Sequence, residues 1–233
     1  MRKRIGILGG IGPASTAEYY RVICAEYFRL HGDYYYPEIL IDSLDLQRFT
    51  DFEDNDDMES YLEYIESSLQ RLNAGKADFA LLSANSPHAV FDKIVSRSPL
   101  PLLSIVDPAV REAQRLNRNR LLILGIKFTM QSGFYEDAFR KVNIDTITPA
   151  LSEQNEINHL IFGKLAQGIV EVPVKERLLS IISDYDIDGV VLGCTELPLI
   201  LKSEDCEVPL LNTLELHAKM ALEIALGTTE LPV

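Results

Sequence analysis

Short, wholly apolar runs alternate along this chain with longer stretches in which apolar residues recur every three or four positions. The first kind predicts strands buried on both faces, the second amphipathic helices. Arg4–Leu8 predicts a buried strand. Pro13–Leu30 predicts a helix, with Pro13 in the tolerated first turn and Gly32 just past the end. Glu38–Leu44 predicts the next strand. Between Met58 and Asn73, Leu62, Ile65, Leu69 and Leu72 form a helical stripe closed by Gly75. Phe79–Leu82 and Leu100–Ile105 predict two more strands; Pro87–Val95 and Pro108–Asn117 predict two more helices. The acidic stretch Asp51–Asp57 predicts a solvated loop. Strands alternating with helices predict right-handed βαβ units and a buried parallel sheet.

The order then restarts. Arg120-Leu-Leu-Ile-Leu-Gly125 echoes Arg4-Ile-Gly-Ile-Leu-Gly9, at an offset of 116. Ile187-Asp-Gly-Val-Val-Leu-Gly-Cys194 echoes Ala77-Asp-Phe-Ala-Leu-Leu-Ser-Ala84, at an offset of 110. Val208-Pro-Leu-Leu-Asn-Thr213 echoes Leu100-Pro-Leu-Leu-Ser-Ile105, at an offset of 108. Near-equal offsets in one order predict an internal duplication. The expected fold class is therefore α/β, with two pseudo-symmetric parallel-sheet domains. Residues 1–115 plus 208–233 would form the first domain, with a returning C-terminal helix, and 116–207 the second. Two such halves would enclose a cleft at the carboxyl ends of their strands, where an active site is expected.

Composition narrows the partners. Hydrophobic residues make up 47% of the 233, enough for a packed core. There are 35 acids against 22 bases, a net charge of −13, so no basic surplus exists to displace counterions from nucleic acid. No apolar run approaches the roughly 20 residues of a membrane span. The basic tip at Arg2, Lys3 and Arg4 precedes an apolar run of only Ile5–Leu8, which reads as strand and turn rather than a secretory leader. Cys24, Cys194 and Cys206 cannot make a disulfide framework, and a reducing cytoplasm is the simplest setting. His31, His88, His159 and His217 are scattered without metal-ligand spacing, so no metal is expected.

Three segments carry candidate chemistry. Gly9-Gly10-Ile11-Gly12-Pro13-Ala14-Ser15-Thr16 follows the first strand and opens a helix, a place where backbone amides can meet a carboxylate or phosphate. It departs from a dinucleotide fingerprint at its third position and carries Pro13 inside, which argues against NAD. A tight βα turn with no ligand is the alternative. Cys194 ends an apolar strand and opens Cys-Thr-Glu-Leu-Pro. Helix amides there would lower its pKa and fit it to carry a proton; otherwise it is a small buried hydrophobe. Ser83-Ala-Asn-Ser-Pro-His88 occupies the equivalent turn of the first half. Asn85 and Ser86 offer orienting donors and acceptors or local turn capping. His88 suits proton exchange near neutral pH, or structural hydrogen bonding, which is commoner. Cys24 is expected in the core, and Cys206 lies among carboxylates that disfavour thiolate.

Taken together, Gly9–Thr16, Asn85-Ser86-Pro87-His88 and Gly193-Cys194-Thr195-Glu196-Leu197-Pro198 resemble the three signature segments of the aspartate/glutamate racemase family, and Lys127-Phe-Thr-Met130 resembles its second-half turn. The likeness spans nearly the whole chain in order. It implies two pseudo-symmetric α/β domains, a cleft between them, a homodimer, and no pyridoxal phosphate or other cofactor. It also implies two cysteines on opposite faces of the substrate's α-carbon. Here the first-half cysteine position holds Ala84, which the internal repeat independently aligns with Cys194. Cys194 would then be the remaining acid/base. Asn85, Ser86, Thr129 and Thr195 would bind the α-carboxylate or amino group, and Gly10, Ile11, Gly12 and Ser15 would shape the pocket. Lys164 would reach a side-chain carboxylate or be an ordinary surface lysine. Asp45 and Glu196 are auxiliary candidates; Glu196 would alternatively stabilise a helix N-terminus.

The leading expectation is a cytoplasmic, cofactor-independent racemase-like isomerase for a small amino acid, aspartate or glutamate. Proton return on the second face would fall to water, Ser86 or His88, making turnover slow or one-sided. A single-cysteine carbon-acid enzyme such as a decarboxylase accounts better for Ala84. A non-catalytic amino-acid-binding protein is the remaining alternative.

Overall fold

The computed structural model describes residues 2–167 and 169–232. Contact density divides the chain into two compact units. One runs to Asp107 and resumes at His217; the other is Pro108–Leu216.

The first unit holds β1 (Ile5–Gly9), α1 (Pro13–His31), β2 (Ile39–Ser43), α2 (Leu46–Asp54), α3 (Met58–Ala74), β3 (Phe79–Leu82), α4 (Phe91–Arg97) and β4 (Leu102–Leu103). The helix α5 (Val106–Arg115) leads into the second unit. That unit holds β5 (Arg120–Gly125), α6 (Lys127–Gln131), α7 (Phe134–Arg140), β6 (Asp145–Ile147), α8 (Leu151–Gly163), α9 (Val172–Ser183), β7 (Gly189–Gly193), α10 (Leu197–Ile200) and β8 (Leu210–Asn212). The last helix, α11 (Thr213–Leu226), brings the chain back to the first unit.

Each unit contains one four-stranded parallel sheet, ordered β2-β1-β3-β4 in the first and β6-β5-β7-β8 in the second. The identical order puts the three repeated motifs at equivalent places in the two sheets, β1 with β5, β3 with β7 and β4 with β8. The central strands β1, β3 and β7 are buried along their whole length, and β5 is buried after Arg120. Burial on both faces removes any place for a polar residue, which is why these strands read as unbroken apolar runs. The flanking strand β2 is only partly buried and carries Asp42 and Ser43.

The helices supply the other half of each core. On α3, Leu62, Ile65, Leu69 and Leu72 pack with Leu8 and Leu82 of the first sheet. In the second unit Ile157 and Ile161 of α8 and Leu178 and Ile181 of α9 pack with Leu122, Leu124, Val190 and Leu192. The long helix α1 ends at Gly32, in a left-handed conformation, whose N–H reaches the Phe28 carbonyl at 2.8 Å. No helix among the described residues is long and apolar enough to cross a membrane.

Several expectations need correction. The acidic stretch is not wholly a loop: α2 covers its first part, because Asp45 accepts from the Gln47 and Arg48 amides and Phe49 supplies a buried anchor. The expected helix at Pro87 begins instead as a 3-10 turn, Ser86–Val90, and becomes α-helical at Phe91. The fourth strand is only Leu102–Leu103. The expected boundaries of the two halves also move. Leu210–Asn212 hydrogen-bonds along β7, so it belongs with the second sheet, and the chain rejoins the first unit only from His217.

Candidate active site

In a parallel sheet of this order the connections leave the two central strands in opposite directions, and ligands bind at that switch point. The switch points here are the carboxyl ends of β1 and β3 in the first unit, and of β5 and β7 in the second. The sequence-selected segments follow those strands.

The turn after β1 is built around glycine for a steric reason. At Gly10 φ is +85°, and an added Cβ would lie 2.2 Å from the Leu44 carbonyl oxygen and 2.4 Å from its nitrogen. Thr16 then ties the turn down. Its Oγ1 accepts the Gly10 N–H at 2.9 Å and lies 3.1 Å from Ser83 Oγ, linking the turn after β1 to the turn after β3. The Gly10 amide is therefore committed to Thr16. Thr16 and Ser83 had no assigned role in the sequence reading; a hydroxyl residue closing a glycine-rich turn was the available signal for the first.

The turn after β3 carries Ala84, Asn85 and Ser86. Ala84 and Asn85 are buried and Ser86 is half-buried. His88 clamps this turn from below. The Ile105 N–H donates to His88 Nε2 at 3.0 Å, so the proton sits on Nδ1, which donates to the Ala84 carbonyl at 3.1 Å. Burial drives its pKa down to about 4. A neutral imidazole with both nitrogens engaged by backbone is a structural group, and the proton-donor expectation for His88 is withdrawn on that ground.

In the second unit Thr129 lies on α6, directly after β5. An added Cβ at Gly193 would lie 3.1 Å from Thr129 Cγ2 and 3.0 Å from the Leu124 carbonyl oxygen, so glycine is what lets this helix approach β7. The Lys127 amide is held by Asn158 Oδ1 at 2.8 Å. Thr129 is fully buried, and its Oγ1 has no hydrogen-bond partner among the described residues. A hydroxyl left in that state costs about 1–3 kcal/mol.

Cys194 follows β7 and is 7% exposed. Its Sγ donates to Glu196 Oε2 at 3.0 Å, and Thr195 Oγ1 donates to the same oxygen at 2.8 Å. Burial pushes the thiol well above its ordinary range; the Glu196 charge and hydrogen bond push it further, while backbone bonds pull it back. This reverses the expectation that helix amides lower it. The following helix, α10, has four residues, and desolvation outweighs what so short a dipole can give. Glu196 sits at the N-cap of α10 without a side-chain cap bond, its carboxylate turned to Cys194 and Thr195 instead. The resting group is thus a thiol poised against a carboxylate.

The remaining candidates lie elsewhere. Lys164 ends α8 and pairs with Glu171 at 3.2 Å, 40% exposed, which is the surface-lysine arrangement. Asp45 caps α2. Ser15 is buried in the first turn of α1. Cys24 is half-buried, bonded to Tyr20, rather than a core residue. Cys206 is half-buried too, its thiol pushed up by burial and by Asp205. Among the described residues no three His, Cys, Asp or Glu side chains converge as metal ligands would.

Comparison with known proteins places this geometry. The chain is 26% identical to the broad specificity amino-acid racemase RacX of Bacillus subtilis (strain 168), over 96% of this chain and 98% of the relative. Its structure superposes on an aspartate racemase homologue from Pyrococcus horikoshii OT3 with a TM-score of 0.84 and 33% identity, covering 96% of this chain and 99% of that one. It shares the fold of Picrophilus torridus aspartate racemase, at a TM-score of 0.77 and 20% identity, covering 96% and 94% of the two chains. The family model for Asp/Glu/Hydantoin racemase matches residues 8–221, from the first strand to the last helix and through every turn described above. This chain belongs to the Asp/Glu/Hydantoin racemase family.

Proposed function

We propose that the chain is an amino-acid racemase-like enzyme working without pyridoxal phosphate, in which Cys194 exchanges the substrate's α-proton. The observation that carries this reading is the buried Cys194 thiol bonded to Glu196 at a sheet switch point. A group that must both give and take a proton needs a partner to hold the proton in between. Glu196 is that partner: it accepts the thiol proton, 3.0 Å away, as the sulfur takes hydrogen from the α-carbon. In the reverse sense the thiol delivers its proton to the carbanion and Glu196 restores it.

The carbanion's charge spreads into the substrate carboxylate and needs fixed donors. Thr129 and Thr195 are the proposed donors from the second unit, and the unpartnered Thr129 hydroxyl supports that role. Asn85 and Ser86 are the proposed donors from the first, with Gly10, Ile11, Gly12 and Ser15 shaping the pocket. The proposed substrate is aspartate or glutamate, supported by the likeness to the aspartate racemase homologue at 33% identity. Broad specificity is the alternative that the Bacillus subtilis relative supports.

Proton return on the second face is the weak step. Ala84 offers a methyl group, and His88 is engaged on both nitrogens, which leaves Ser86 or water. A second reading follows from the same observations. A protonated thiol on one face, without a second acid/base opposite, is what a decarboxylase needs to protonate a carbanion from one side.

The test is a panel of amino acids in deuterium oxide, followed by proton NMR and chiral chromatography. The parent should replace the α-hydrogen with deuterium, and Cys194→Ala should lose this while keeping its circular dichroism spectrum. Cys24→Ala and Cys206→Ala should stay within a few-fold of the parent. Full exchange in Cys194→Ala defeats the reading, and carbon dioxide release from a malonate-type acid without exchange selects the second one.

A further inference from the structure

The two sheets end differently at the turns that carry the candidate chemistry. In the second unit β5 and β7 stay paired through Gly125 and Gly193, where the chain turns away. In the first unit the last aligned pair of β1 and β3 is Leu8 with Leu82, and the Ser83 N–H then reaches the Leu8 carbonyl at 2.9 Å. Beyond that bond, among the described residues, no β1–β3 ladder bond fixes the glycine turn against the turn at 84–86.

Side chains take over there. The Thr16 hydroxyl has one proton and two lone pairs. It accepts the Gly10 N–H at 2.9 Å and donates to the Gly12 carbonyl at 3.3 Å, so its second lone pair takes the Ser83 hydroxyl at 3.1 Å. Its whole capacity is spent on the two turns. Both hydroxyls are buried, where a hydrogen bond is stronger than in water. The Ala84 carbonyl is held by His88 at 3.1 Å. The stretch leading into Asn85 is therefore fixed from two sides.

The internal repeat supplies the contrast. Thr129 faces Gly125 as Thr16 faces Gly9: an added Cβ at Gly125 would lie 3.2 Å from Thr129 Cβ, and one at Gly9 would lie 2.4 Å from Thr16 Cγ2. Ser83 stands in the repeat where the second half has Gly193. Gly193 offers no hydroxyl, and Thr129 Oγ1 has no partner among the described residues. The hydroxyl bridge thus belongs to the first unit, where strand pairing stops one residue short.

We infer that Thr16 and Ser83 are positioning residues: their hydroxyl bridge sets the turn at 84–86 against the glycine turn, and so places Asn85 and Ser86 for the substrate carboxylate. The inference rests on the reading of Asn85 and Ser86 as substrate donors.

The test follows α-proton exchange of L-aspartate and L-glutamate in deuterium oxide by proton NMR, beside hydrogen-exchange mass spectrometry of residues 8–16 and 83–90. Thr16→Val keeps the side chain's shape and removes its hydroxyl. It should raise KM at least about tenfold, a fraction of the roughly 10²-fold that a 1 Å misplacement can cost. The kcat should stay within about threefold, because Asn85 and Ser86 hold the carboxylate before and during proton transfer. Both peptides should exchange faster, while alkylation of Cys194 by iodoacetamide, in the other unit, keeps its rate. Thr16→Ser keeps the hydroxyl and should restore KM and both peptides. Adding Ser83→Ala to Thr16→Val should cost nothing more, since the bond is already gone. Should Thr16→Val not fold, Ser83→Ala, which leaves Gly10 bonded to Thr16, carries the test: KM should rise and residues 83–90 should exchange faster. A parent that exchanges neither amino acid defeats the catalytic reading, and the mass spectrometry still decides the bridge. Parental KM in an active, folded Thr16→Val, parental exchange of its peptides, or a loss that Thr16→Ser shares in full overturns the inference.

Discussion

Acidification should destabilise the first unit well above the pH at which ordinary carboxylates titrate, because two imidazoles are buried there in neutral form. His88 is clamped as described above. His217, on α11, is fully buried; its Nε2 donates to the Leu103 carbonyl at 3.1 Å, so Nδ1 accepts the Tyr19 hydroxyl at 2.8 Å. The two rings meet edge to face at 6.2 Å. Burial holds His88 at about 4 and His217 at about 3, against an ordinary 6.5, and each ring's charge would oppose the other's. Because the folded values lie below the unfolded one, the unfolded chain binds protons first. The stabilisation is complete above about pH 6.5, falls as pH drops through that value, and is exhausted near the folded value. One unit of pH is worth about 1.4 kcal/mol per histidine, so pH 5 should remove about 2 kcal/mol for each and about 4 kcal/mol for both. Against a total stability of about 5–15 kcal/mol this is a large loss.

The assay is urea unfolding by far-ultraviolet circular dichroism at pH 7, 6 and 5, with hydrogen-exchange mass spectrometry of residues 79–105 assigning the change to the first unit. His217→Gln removes one titrating group. It should lower stability at pH 7 by about 1–3 kcal/mol through imperfect bonds to Tyr19 and Leu103. It should also halve the loss between pH 7 and pH 5. The comparison cancels groups common to both proteins, including Glu136, which burial pushes upward and which acts in the opposite sense. Equal parent midpoints at pH 7 and 5, or an undiminished acid loss in His217→Gln, would refute the argument.

Three further outcomes are expected. Glu196→Gln should cut α-proton exchange by about 10²–10⁴-fold, as loss of a positioned base does. The same change should make Cys194 easier to alkylate at a fixed pH, because the charge that raises the thiol is gone; exchange and alkylation rising together would remove Glu196 from the mechanism. Ala84→Cys should raise racemisation of the preferred amino acid, by less than the roughly 10²–10⁴-fold of an optimised group. Initial inversion rates from both enantiomers check it, and a folded variant with no gain in either direction defeats the lost-partner account. Gly10→Ala should cost at least about 3 kcal/mol, since the new Cβ meets backbone at a strained φ; a thermal melt with a midpoint unchanged from the parent would contradict the turn geometry.

Much of the architecture was legible along the chain. The four central strands lie where continuous apolar runs lie, because burial on both faces leaves no polar position. The helices α1 and α3 begin and end within a residue or so of their sequence signals, Pro13 and Gly32 for one and the stripe ending at Gly75 for the other. The duplication was legible as repeated strand-and-turn motifs, and both sheets have the same strand order. Local composition also located the turns that carry candidate chemistry, because a helix opening after a buried strand forces glycine or small polar residues into view.

What the chain alone did not determine was the partner of each polar side chain. Cys194 reads as a thiol that helix amides could activate; the fold buries it against Glu196 and raises it. His88 reads as either a proton exchanger or, more commonly, a structural group; Ile105 and Ala84, brought to it by packing, engage both nitrogens and settle it as structural. Lys164 meets Glu171, Asp45 caps α2, and Leu210–Asn212 pairs with β7. Hydrophobic periodicity is written in neighbouring residues and survives in the sequence. Side-chain direction and local dielectric depend on how a turn packs against its near and distant neighbours, and only the tertiary structure decides them.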